Sequence, residues 1–171
     1  MATIIPLNGK EPKIHPSCWL APNATIIGDV ELGPHCTVWF SAVIRGDVCP
    51  IRIGTKSNIQ DGAIIHGTYQ KSETHIGQRV SIAHGAVIHG CSIQDDVLVG
   101  MKAVIMDNTV IQSNVIIAAG AVVLENKTLD SGHIYGGVPA KKIKEIDQEQ
   151  TAFHITRTAD AYLKYASWYK K

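Results

Sequence analysis

Charge is scarce in this chain of 171 residues: Asp, Glu, Lys and Arg make up 18% of it, and the net charge is +1 with histidine neutral. Lys and Arg cluster only near the C-terminus, so there is no basic footprint for nucleic acid. No apolar run approaches the ~20 residues that cross a bilayer. The opening stretch MATIIPLNGKEPK lacks the charged-then-apolar layout of a secretory signal. The four cysteines, Cys18, Cys36, Cys49 and Cys91, form no CxxC pair and read as reduced thiols of a cytoplasmic protein. Disorder is excluded too, because aliphatic residues and glycine are abundant.

What the chain does have is a period. Aliphatic residues recur every six positions at Ile14, Leu20, Ile26, Leu32, Val38 and Ile44. Four residues after each comes a small or β-branched side chain: Cys18, Ala24, Val30, Cys36, Ala42, Val48. The pattern resumes at Ile53, Ile59 and Ile65, again at Ile76, Ile82 and Ile88 (with Val80, Ala86 and Ser92), and then runs unbroken from Ile93 to Leu129. Neither the helical period nor simple alternation sustains a phase of six, and an alternating β-sandwich would lose it within a few strands. A solenoid of short parallel strands keeps it, with three hexapeptides to a coil and the aliphatic position stacked inside. Coils then begin at Ile14, Leu32, Ile53, Ile76, Ile93 and Ile111. The expectation is one mainly β domain over residues 1–171: a cap over 1–13, a parallel β-helix over 14–138 and a C-terminal helical segment over 139–171. Phe153, Ile155, Tyr162, Tyr165, Trp168 and Tyr169 in that segment read as packing against the solenoid wall or another subunit.

The register places three histidines. His66 follows Ile65 and His89 follows Ile88, the same position one coil apart, and Arg45 follows Ile44 one coil earlier. Neighbouring strands lie about 4.7–4.9 Å apart, and a tetrahedral zinc needs its nitrogens about 3.3 Å apart. His84 falls on a different edge and cannot join the pair within one chain. In a closed head-to-tail ring, an edge of one copy meets a different edge of the next. A second chain's His84 then completes a three-histidine set, the ligand number of catalytic zinc. The repeat breaks only around this column: nine residues from Ile44 to Ile53, eleven from Ile65 to Ile76, five from Ile88 to Ile93. Insertions on a rigid scaffold are where sites are built. His15, His35, His75, His133 and His154 read as turn or surface residues. Cys18 and Cys36 read as core, and Cys91 as a small residue beside a corner.

These residues resemble the γ-class carbonic anhydrase family, in its short-loop branch. The resemblance covers nearly the whole chain. It is carried by AVIRGD (Ala42–Asp47), SNIQDGAIIH (Ser57–His66), SIAHGAVIHG (Ser81–Gly90), VLVGM (Val97–Met101) and GGVPAKKI (Gly136–Ile143). It implies a left-handed β-helix, a cytoplasmic homotrimer with metal sites between subunits, and zinc (or iron or cobalt) on His66, His84 and His89. The implied activity is reversible hydration of CO2 by hydroxide generated at the metal, with Gln60 and Asn58 beside it and Tyr135 lining the site. Arg45 is implied to make salt bridges across the interface, with Asp47 or Asp61. Two departures stand out: Val48 occupies the place of an acid after the RGD segment, and the loop Gly67–His75 is short, with Glu73 its only acid and so the one candidate there for a proton shuttle. Two alternatives remain at this stage. One is a hexapeptide-repeat acyltransferase using a CoA thioester and a histidine base; the other is a non-catalytic metal- or siderophore-binding protein.

Overall fold

A residue recurring every six positions can be buried only if the chain coils back on itself after each few strands. The computed structural model, which describes residues 1–169, has this coiled form. Three ladders of inward-facing side chains, aliphatic except for a final tyrosine, run the length of the solenoid, one per face. The first is Ile14, Leu32, Ile53, Ile76, Ile93, Ile111 and Leu129. The second is Leu20, Val38, Ile59, Ile82, Val99, Ile117 and Tyr135. The third is Ile4, Ile26, Ile44, Ile65, Ile88, Ile105 and Val123. All of these pairings are parallel, and most of the ladder residues are fully buried. Each such isoleucine removed from water contributes about 1.5–3 kcal/mol.

Corners between faces are tight turns that need one residue in left-handed conformation. At one corner this place falls to His35, Lys56, Arg79, Asp96 and Asn114, with φ between 52° and 60°. His35 is a turn residue, as its lack of a column partner indicated.

The three irregular spacings have distinct structural results. In the strand Val43–Ile53 the extra residues bulge outward, so that Gly46 pairs with Gly28 but Ile51, rather than Val48, takes the inward place opposite Val30. The eleven-residue spacing makes a loop closed by Lys71 and Ser72 amides donating to the Thr68 carbonyl. The five-residue spacing shortens the corner after His89, so Cys91, not Ser92, points into the core. Burial pushes its thiol up to about 12, which leaves it protonated near neutral pH. The four cysteines form no disulfide.

Both ends of the solenoid differ from expectation. The cap contains a strand, Thr3–Ile5, that adds a rung to the third face. After the last coil the chain does not pass directly into helix. Lys141–Glu145 first folds back antiparallel on His133–Gly136, satisfying an edge that would otherwise template another strand. Helix begins at Gln148 behind an Asp147 capping box, loosens into π geometry over Thr151–Thr156, and continues as Arg157–Ser167. Lys170 and Lys171, the end of the expected helical segment, lie outside the described residues. The helix lies on the second face through Tyr162 against Trp39 (5.1 Å between ring centroids) and Tyr169 against Trp19 (5.2 Å). No helix among the described residues is long and apolar enough to cross a membrane.

Candidate metal centre

His66 and His89 end successive strands of the third face, and their Cα atoms are register partners. The imidazoles meet edge to face with centroids 5.3 Å apart, and His66 Nδ1 lies 3.3 Å from His89 Nε2. Each ring's other nitrogen is taken. His66 Nε2 is 3.0 Å from Asp47 Oδ1, and His89 Nδ1 is 3.2 Å from both oxygens of Asp107.

These carboxylates fix the tautomers. Burial works to raise the Asp47 carboxyl, but hydrogen bonds from Arg45 and His66 outweigh it and hold the group below the usual range. At Asp107 burial is likewise overcome, by Ser72 (Oγ to Oδ1, 2.5 Å), by His89 and by Thr68 (3.2 Å). Both side chains are therefore ionised near neutral pH and can only accept. Each neutral imidazole must donate N–H to its carboxylate. The two remaining nitrogens then point lone pairs at each other across 3.3 Å. Burial, the largest influence on His66, holds its pKa down, so an extra proton there is disfavoured. Two converging lone pairs whose back nitrogens are tied to carboxylates match the outer-shell arrangement of metal-ligating histidines. Their separation also suits two corners of a zinc tetrahedron.

Asp107 had no place among the sequence candidates. Its access to His89 depends on Gly90, at φ 54°: a Cβ there would sit 1.9 Å from Ser72 Oγ and 2.2 Å from Asp107 Oδ1. Replacing Asp107 with asparagine keeps the shape but removes the obligate acceptor. Zinc affinity is expected to fall about 10–100-fold in chelator competition, with the circular dichroism spectrum unchanged. Unaltered affinity would contradict the role given to this carboxylate.

His84 lies at the other edge of the third face, in the turn Ala83–Ala86, with Asp61 one rung below it. Its Nδ1 is 2.8 Å from Asp61 Oδ2. Within the chain Asp61 orients His84, and Arg45 pairs with Asp47. Gln60 belongs to the His84 corner. It is buried, its amide donates to Asn58 Oδ1 at 3.0 Å, and Asn58 in turn donates to Ser81. Two candidates have other partners within the chain. Tyr135 is a core residue of the last coil whose hydroxyl accepts the Asp130 amide at 2.8 Å, and Glu73 is exposed and turned to His75 at 3.1 Å. Among the described residues, no three potential ligands gather within one chain.

This chain is 36% identical over 169 residues to gamma carbonic anhydrase 2, mitochondrial, of Arabidopsis thaliana, covering 96% of this chain and 60% of that protein. It is 33% identical over 185 residues to a carbonic anhydrase of Geobacillus kaustophilus, covering 98% of this chain and 91% of that one. The chain belongs to the γ-carbonic anhydrase family. It spans about 60% of the length of the two Arabidopsis relatives. The bacterial transferase hexapeptide pattern (six repeats) matches residues 11–46 and 90–125. The stretch it skips is where this γ-carbonic anhydrase relative breaks its spacing and carries His66, His84 and His89. A solved structure of a hexapeptide transferase family protein from Anaplasma phagocytophilum superposes with a TM-score of 0.93, at 32% identity and 98% coverage of both chains.

Proposed function

We propose that this protein is a zinc-dependent carbonic anhydrase that works in the cytoplasm as a homotrimer, its metal held between subunits. The observation that carries this is the facing pair of acceptor nitrogens, His66 Nδ1 and His89 Nε2, at 3.3 Å. The chemistry a bound zinc supplies is acidity, making hydroxide available near neutral pH for addition to CO2.

The outward side of the third face supports the assembly. Val43, Ile64, Val87, Val104 and Val122 stack there in register, with Ile64 44% exposed and Leu124 beside them 43%. A β-branched stripe of this kind is a surface for another copy. His84 stands at one edge of that face and the His66–His89 pair at the other. A threefold axis parallel to the solenoid preserves height, and His84 precedes the short strand Val87–His89 that His89 ends. Rotation therefore brings a neighbour's His84 level with the pair, closing a heterologous ring.

Within such a site the chain's own residues have separate tasks. Asp47 and Asp107 hold the ring tautomers, Asp61 does so for His84, and Gln60, anchored by Asn58, reaches the site from the His84 side to orient the reacting molecule. No shuttle is assigned to Glu73, which pairs with His75, or to Tyr135, which is buried in the last coil, and the proton passes to buffer. Iron and cobalt suit the same donors. Stopped-flow CO2 hydration on protein of known metal content, loaded in turn with zinc, iron and cobalt, tests the function. Activity that tracks metal content is expected. Background rates at every loading, or acyl-CoA turnover by EDTA-treated protein, would contradict it.

A further inference from the structure

We propose that Tyr162 competes with the metal for His84, so that the C-terminal helix is a latch on the third ligand. The inference rests on the metal site proposed above. Asp61 fixes the proton of His84 on Nδ1, at 2.8 Å, which leaves the only lone pair of the ring on Nε2. That nitrogen is already engaged: Tyr162 Oη lies 3.2 Å from it. A hydroxyl facing an imidazole lone pair donates, and one lone pair cannot serve a proton donor and a cation together. The opposite corner has no such guard, since His66 Nδ1 and His89 Nε2 face each other. Of the three nitrogens, only that of His84 must be released before it can ligate.

The guard sits on a movable element. Tyr162 is held edge to face on Trp39 and rests against Tyr165 on its own helix, at 5.6 Å. The helix Arg157–Ser167 itself buries only two alanines fully, Ala159 and Ala166. The segment leading into it, Thr151–Thr156, is π-helical, a geometry in which register shifts are easily absorbed. Ile155, buried ahead of the helix, and Tyr169, packed on Trp19 and Phe40 after it, are the fixed ends, and the turns between them that carry Tyr162 are free to respond to the loss of one hydrogen bond. Linkage makes the effect reciprocal: docking of Tyr162 weakens metal binding by the same factor by which metal loosens the helix.

The test is zinc affinity of the wild type and Tyr162→Phe, by competition with a chromophoric chelator, together with hydrogen exchange of the Arg157–Ser167 amides. Removing one net hydrogen bond from the metal-free state corresponds to about 3- to 10-fold tighter zinc binding in the variant. In the wild type, zinc should speed exchange in the helix; in Tyr162→Phe it should leave exchange unchanged. A purely structural tyrosine would move affinity the other way. Equal or weaker zinc binding by Tyr162→Phe, or helix exchange indifferent to zinc in the wild type, overturns the latch while leaving the metal site intact. A wild type that binds no zinc removes the site and the latch together.

Discussion

Alanine at position 89 is expected to strip the protein of its metal. His89 supplies one of the two nitrogens set 3.3 Å apart, and without it His66 is a single imidazole on that chain. The loss should exceed the roughly 10–100-fold that follows removal of an outer-shell partner. Purified His89→Ala should then carry almost no zinc and show no CO2 hydration above background. The fold should survive, because the register of this rung is held by Val87 and by the buried Ile88. Elemental analysis beside a melting curve separates the two effects. Full zinc content in the variant would contradict the ligand assignment.

A charge on the third face is expected to abolish the assembly, and the site with it. Ile64 points outward and is 44% exposed in a single chain, so arginine there should change protomer stability by no more than about 0.5 kcal/mol. In the ring the same position would bring three unpaired charges together around the axis, away from water, and removing even one such ion from water costs several kcal/mol. Ile64→Arg should elute as a monomer in size-exclusion chromatography with light scattering, with native circular dichroism and no bound zinc. A metal-loaded trimer would show that the stripe is not the contact surface.

Much of this architecture was legible in the sequence because one geometric constraint produces it. A six-residue phase can be satisfied only by stacking, and stacking alone puts His66 over His89. The phase fails where residues are inserted or removed. Val48 and Ser92 hold the fourth position by count, yet Ile51 and Cys91 fill it, since a bulge or a shortened corner resets the count before the next rung. The strand Lys141–Glu145 gave no signal because every residue in it is exposed. Its cause is the open edge of the last coil, not its own pattern. Asp107 was hidden for a different reason. It lies one rung beyond Gly90, and only the absence of a side chain there lets it reach back to His89. A glycine repeated at one corner beside a histidine column could have pointed to it. The Tyr162–His84 contact spans 78 residues between helix and solenoid. No local spacing encodes a contact of that kind.

The metal's position between chains can be tested by mixing subunits. His84→Ala and His89→Ala chains each lack a ligand at every interface when assembled alone. In a closed ring containing both, one of the three interfaces joins the intact pair of a His84→Ala chain to the intact His84 of a His89→Ala chain. Co-expressed and purified through a different tag on each chain, the mixed trimer should hold one zinc where either parent holds none. A mixed trimer as empty as its parents would place the three histidines in separate sites.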